Sequence, residues 1–153
     1  MKKYFVLIIS ALLLSLSANA DERPITFDRL PVQARTFINN HYLASEVTHV
    51  LRDESVIRPE YTVYIAHGVS VEFDYNGSLE KISSKETPIP ADVIPAQIQD
   101  YVARHYPDAT FVEYEVDHKH YEVKLSNRVE LNFNRKFTTT RKHILNIFTK
   151  SIF

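Results

Sequence analysis

Two stretches of this sequence read almost alike: DRLPVQARTFINNHY at residues 28–42 and DVIPAQIQDYVARHY at residues 92–106. At an offset of 64, Asp28 matches Asp92, Pro31 matches Pro95, Gln33 matches Gln97, His41 matches His105 and Tyr42 matches Tyr106. A second pair follows in the same order at an offset of 60, YTVYIAHGVSVEFD at 61–74 and YEVKLSNRVELNFN at 121–134. Two ordered matches with a small change of spacing indicate an internal duplication. A repeated unit constrains architecture more tightly than isolated elements do. It does not constrain the chemistry.

Each copy opens with a helical pattern. Leu30, Ala34, Phe37 and Ile38 in the first, and Ile94, Ile98, Tyr101 and Val102 in the second, recur at the spacing of one helix face. Asp28 and Asp92 stand before these runs as candidate N-caps, and Pro31 and Pro95 fall in the first turn, where a missing N–H is harmless. Pro107 ends the second helix, and Thr87-Pro88-Ile89-Pro90 separates the copies as a stiff linker.

Strands follow each helix. Tyr61, Val63, Ile65 and then Val69, Val71, Phe73 alternate with polar residues across His67-Gly68, as a hairpin with one apolar face does. Asn76-Gly77 is the strongest hairpin signal in the chain and leads to a strand at 78–83. Residues 46–52 and 110–117 read as the strands before these hairpins. The second copy keeps the apolar face through Tyr121, Val123, Leu125, Val129, Leu131 and Phe133 but loses both glycines. Asn127 is expected to supply the positive φ at its first turn. Phe137 stands where Gly77 stands, so its second turn is expected to be built differently. Residues 144–148 read as a closing strand or short helix. The fold class is therefore α+β, a tandem of two helix-plus-antiparallel-sheet units. The first spans residues 21–88, and the second spans residues 89–153 with a basic C-terminal tail.

Residues 1–20 carry the features of a cleavable signal peptide: Lys2 and Lys3, an apolar run from Tyr4 to Leu16, and Ala18-Asn19-Ala20 as the cleavage site. A periplasmic or secreted product follows. The apolar run is short for a membrane span, and no second one follows it. Export permits disulfides, but the chain has no Cys, so stability rests on a packed core in which Tyr and Phe, nine of each in the whole sequence, carry the bulky packing. With Lys2 and Lys3 removed, 16 basic and 19 acidic groups leave a net charge of −3. Residues 131–153 hold five basic groups and no acid, so residues 21–130 carry −8. An acidic body argues against nucleic acid as the main partner.

No Cys nucleophile, G-x-S-x-G, H-E-x-x-H or phosphate-binding glycine loop occurs, and with two Gly a backbone cradle is improbable. No catalytic residue and no cofactor is assigned. His118 and His120 are the sharpest metal candidates, since residues i and i+2 of a strand share a face and Asp117 lies beside them. A metal normally needs three or four ligands, and a solvated hairpin tip accounts for the pair without one. His41 and His105 fall in the last turn of each helix, where a His suits the helix C-terminus. Glu113 and Glu115 align with Asp117 on one strand face, a pattern that suits calcium or acid–base work and equally an ordinary solvated face.

Taken together, LPVQARTFINNHY, YTVYIAHGVSVEFDYNG, IPADVIPAQIQDYVARHYPDA and YEVKLSNRVELNF resemble the PepSY-like family of exported bacterial proteins, common in the Bacteroides group. That family is similar in architecture to the beta-lactamase inhibitory protein. The resemblance covers about residues 25–135 and implies a periplasmic or secreted protein without established catalysis. It also implies partner binding across a sheet surface, as in inhibitors and protease propeptide modules. It brings no ligand residues. The reading is a non-enzymatic exported binding module that presents sheet faces to a protein or cell-envelope partner. Tyr64, Glu72, Lys124 and Asn132, opposite the packing register, are the candidate contact residues. The alternative is a small-ligand or metal-binding periplasmic protein using its histidines.

Overall fold

The computed structural model describes residues 22–53, 55 and 57–144. The signal-peptide stretch at 1–20 and the closing element expected beyond Ile144 lie outside the described residues. Among the described residues nine strands form one antiparallel sheet whose spatial order is the order of the sequence. They are β1 (Glu22–Ile25), β2 (Val47–Asp53), β3 (Tyr61–Ile65), β4 (Val69–Phe73), β5 (Leu79–Ser84), β6 (Phe111–Val116), β7 (His120–Leu125), β8 (Val129–Asn134) and β9 (Thr139–Ile144). Helix α1 (Val32–His41) lies in the β1–β2 connection and α2 (Ala96–His105) in the β5–β6 connection.

The expected two sheets are thus a single one. Its centre is the β5–β6 seam, where Lys81 pairs with Glu115, Ile82 with Tyr114 and Ser83 with Glu113. The seam forms because Ile82 and Tyr114 point inward with the rest of the apolar register and are buried. Apolar alternation drives the rest. Val63, Ile65, Val71, Phe73, Val123, Leu125, Leu131 and Phe133 are buried, while the residues between them are half-exposed. Both helices cover this one face. Ala34 and Ile38 of α1 and Ile98 and Val102 of α2 join the sheet residues in a continuous core. Phe37 meets Phe73 edge-on at 5.5 Å, and Tyr101 meets Phe133 in the same way at 5.3 Å. The linker is pinned as well as stiff: Ile89 is buried, and its N–H donates to the Phe111 carbonyl.

Several local expectations change. Asp28 and Asp92 do not cap the helices. They sit in short 3-10 turns, Phe27–Arg29 and Ala91–Val93, and the N-cap positions belong to Pro31 and Pro95. Arg128, not Asn127, holds the positive φ of the β7–β8 turn. The turn after β8 is built like the turn after β4, not differently. Asp74 Oδ1 accepts from the N–H groups of Asn76 and Ser78, and Asn134 Oδ1 accepts from those of Lys136 and Thr138. Gly77 has φ 88° in the first turn and Phe137 φ 59° in the second. Phe137 stacks on Tyr121 at 5.3 Å, a packing gain that offsets its backbone strain. Strands β1 and β9, the two edges, were not expected at 22–25 and 139–144.

Candidate partner-binding face

With both helices on the apolar side, the other face of the sheet is left to polar side chains. Strand register arranges them in two rows. One runs Tyr64, Ser70, Ser83, Glu113, Lys124, Glu130. The other runs Thr62, Glu72, Lys81, Glu115, Glu122, Asn132. All four candidate contact residues lie on this face and are half-buried: Tyr64 and Lys124 on the first row, Glu72 and Asn132 on the second. Tyr64 is braced by His49, whose ring stacks on it at 4.3 Å.

At the centre, charges alternate. Glu115 reaches Lys81 Nζ at 3.2 Å, Lys81 reaches Glu113 at 3.1 Å, Glu113 reaches Lys124 at 2.7 Å, and Lys124 reaches Glu122 at 3.7 Å. Burial works against the charge on Glu113, but hydrogen bonds from Lys124 and Lys81 outweigh it and hold the carboxyl below its usual range. Burial likewise opposes the charge on Lys81, and its bonds to Glu113 and Glu115 win, so its ammonium is held more tightly than usual. Lys124 follows the same pattern through Glu113. Two carboxylates lack such help. Burial pushes Glu72 up despite Lys81, with Glu115 adding to the shift. Burial and then Glu130 push Glu122 up despite Lys124.

Glu113, Glu115 and Glu122 bring one carboxylate oxygen each within 4.8 Å of one another, the one metal-compatible trio among the described residues. Lys81 and Lys124 already contact these side chains, so two ammonium groups stand against three carboxylates and the trio as arranged does not fit a divalent ion. Glu122, which the sequence reading did not include, takes the place of Asp117 in this group. Asp117 instead leaves the face and organises the β6–β7 turn, accepting from the N–H groups of Lys119 and His120.

The same turn corrects the histidine pair. His118 and Lys119 lie in a bend rather than a strand, so the shared-face spacing does not apply. His120 Nδ1 lies 3.0 Å from Asp117, while His118 lines a depression with Asp117, Glu80 and Asp74 that His120 does not reach. His41 and His105 take the structural place expected of them. Each Nδ1 meets the carbonyl four residues back, at 3.2 and 2.8 Å, and each ring stacks on an aromatic, Phe37 and Tyr101.

Comparison with known proteins gives this geometry its relatives. Residues 59–141 match the family described as "Putative beta-lactamase-inhibitor-like, PepSY-like". A solved structure of a "putative calcium-regulated periplasmic protein" from Bacteroides thetaiotaomicron is similar, with 40% identity and TM-score 0.77. It aligns over 80% of this chain and 97% of that one. A "putative periplasmic protein" from Bacteroides vulgatus is similar at 33% identity and TM-score 0.78, over 82% of this chain and 99% of that one. A second protein from Bacteroides vulgatus, described as a "putative periplasmic protein of unknown function", has 26% identity and TM-score 0.72, over 80% of this chain and 98% of that one. No curated protein matches the chain.

Proposed function

The chain belongs to the PepSY-like family, and on that premise we propose that it is an exported, non-enzymatic binding module that receives a protein or envelope partner on the polar face of its sheet. The observation that carries this reading is the face itself. Both helices cover one side of a nine-stranded sheet, and the other side presents two ordered rows of half-buried polar groups crossed by an alternating ion-pair chain. Strand-borne side chains held by neighbours are pre-organised, so little ordering entropy is lost when a partner docks. The duplicated motifs support two units in tandem, 21–88 and 89–153, with the seam at the middle of the binding face. Export through residues 1–20 accords with the periplasmic description of the relatives. Among the described residues no helix is long and apolar enough to cross a membrane.

The name of the Bacteroides thetaiotaomicron relative raises calcium as a second reading. In this chain calcium would fall at Glu113, Glu115 and Glu122 rather than at the histidines. The ammonium groups on those carboxylates disfavour it, so no step is assigned to the ion. Thermal melts with calcium and with magnesium separate the readings: a calcium-selective rise in Tm that Glu122→Gln abolishes would favour the metal. The binding-module reading is tested by immobilising the mature chain and a variant combining Tyr64→Ala, Glu72→Gln, Lys124→Gln and Asn132→Ala. Both are challenged with an envelope fraction of the source organism. A protein retained by the first and lost from the cooperatively melting variant supports the face as the site. Equal retention sinks it.

A further inference from the structure

We propose that a depression of about 420 Å³ at the edge of the seam, between the 84–88 linker and the β7–β8 turn, binds a compact oxyanion. The ligand class is a small molecule carrying a carboxylate or phosphate group. Of the four candidate contact residues on the open face, Lys124 alone lines this depression.

Charge is the first support. Lys85, Lys124 and Arg128 line the depression against a single acid, Glu86. Lys124 is committed to Glu113 at 2.7 Å, and Glu86 lies 3.7 Å from His67. No described carboxylate pairs with Lys85 or Arg128. Two uncompensated cations thus face one cavity on a chain whose residues 21–130 carry −8.

Backbone strain is the second, independent support. Arg128 has φ 67°, and the matching residue of the first hairpin is Gly68, with φ 71°. A residue with a Cβ loses roughly 1–2 kcal/mol in that conformation. The turn needs no arginine to close: the Arg128 N–H donates to the Leu125 carbonyl, and the Val129 N–H donates to Asn127 Oδ1. What arginine adds over glycine is a guanidinium at the rim, able to take an oxyanion with two parallel hydrogen bonds. Phe137 carries the same strain but gains a ring stack on Tyr121, whereas the exposed Arg128 makes no such packing contact among the described residues, which leaves a functional role as the reading of its strain.

The walls are fixed rather than loose. The Ser126 N–H donates to the Thr110 carbonyl, and the Thr110 N–H donates to Ser126 Oγ, tying the turn to the start of β6. On the other wall the Thr87 N–H donates to Ser84 Oγ. Pro88 and Val112 add apolar surface, which suits the body of a small ring more than a bare ion.

The test is an amide NMR titration of the mature chain at constant ionic strength with glucuronate, with inorganic phosphate and with glucose as the neutral control. Saturable shifts at Thr87, Thr110, Ser126 and Arg128 are expected with at least one anion and not with glucose. Glucuronate alone would place the charge on a carboxylate, and phosphate alone on a phosphoryl group. Lys85→Gln should weaken binding about tenfold, the loss of one charge-assisted hydrogen bond, and Arg128→Gly by more than about tenfold, the loss of two. Both variants should still melt cooperatively. No saturable shift with either anion, equal response to glucose, or unchanged affinity in both folded variants overturns the proposal.

Discussion

Gly77 and Phe137 hold the same place in two turns of one design, and the surroundings decide what each turn tolerates. A Cβ on Gly77 would stand 2.8 Å from the backbone nitrogen of Ala34 and 2.8 Å from Pro31 Cβ, with φ at 88°. Gly77→Ala therefore combines a clash with α1 and left-handed strain. A loss of about 2 kcal/mol or more is expected in denaturant unfolding, and an unchanged midpoint would refute the close approach. Arg128 makes the opposite case. Its side chain is exposed, so Arg128→Gly relieves strain without removing core contacts. Stability should be unchanged or up to about 1 kcal/mol higher, since the added freedom of the unfolded chain offsets part of the relief. A clear drop in Tm would mean that the arginine holds the turn together.

Among elements, the helices were legible because periodicity and paired prolines announce them, while their caps were not. Asp28 and Asp92 look like caps in sequence, but each is taken up by a 3-10 turn that carries Leu30 and Ile94 into the core before the helix begins. The helix ends carry a prediction. His105 offers a carbonyl contact and a ring stack. His41 offers both and also approaches Asp92 at 3.5 Å, with its side chain 15% exposed. His105→Ala should lower stability by about 1 kcal/mol and His41→Ala by more, about 1–2 kcal/mol. Equal losses on chemical denaturation would show that the Asp92 contact adds nothing. The edge strands leave no periodic mark for a different reason. Glu22–Ile25 contains Pro24 and has no buried residue, and Thr139–Ile144 is largely polar. Such segments are strands because a neighbour offers backbone pairing, a fact that side-chain alternation does not record.

Over the whole molecule, the ion-pair chain crosses the seam that joins the two halves of the sheet, so its titration should act on global stability. Glu113 is held low, so its contribution is present above the ordinary carboxylate range and lost as pH falls through its lowered value. Lys81 and Lys124 are held high, so theirs is complete below the ordinary lysine value of 10.5 and lost as pH rises through the raised values. Lys81→Gln should lower Tm at neutral pH and flatten the alkaline decline. An alkaline limb identical to that of the native chain would remove Lys81 as its cause. Glu72 behaves in reverse, because burial raises its pKa and its charge is the unfavourable state in the fold. Its penalty appears as pH rises through and above the ordinary glutamate range. Glu72→Gln should therefore raise Tm at pH 7 and leave it nearly unchanged in acid. A lower Tm at pH 7 would mean that the carboxylate is satisfied by a contact with Lys81.

Sequence by itself determined the helices, seven of the nine strands and the polar identity of the open face, because 3.6-residue and two-residue periodicities are local properties of the chain. It also placed Tyr64, Glu72, Lys124 and Asn132 on that face, since alternation alone assigns sides. Only the tertiary structure decided that the sheet is single and that Glu122 rather than Asp117 completes the carboxylate group. It also decided that Lys81 and Lys124 stand against that group, and that Arg128 and Lys85 line one depression. These depend on which strand lies beside which and in what register. Residues such as Lys81 and Glu113, 32 positions apart, meet only through long-range pairing, which local pattern does not encode.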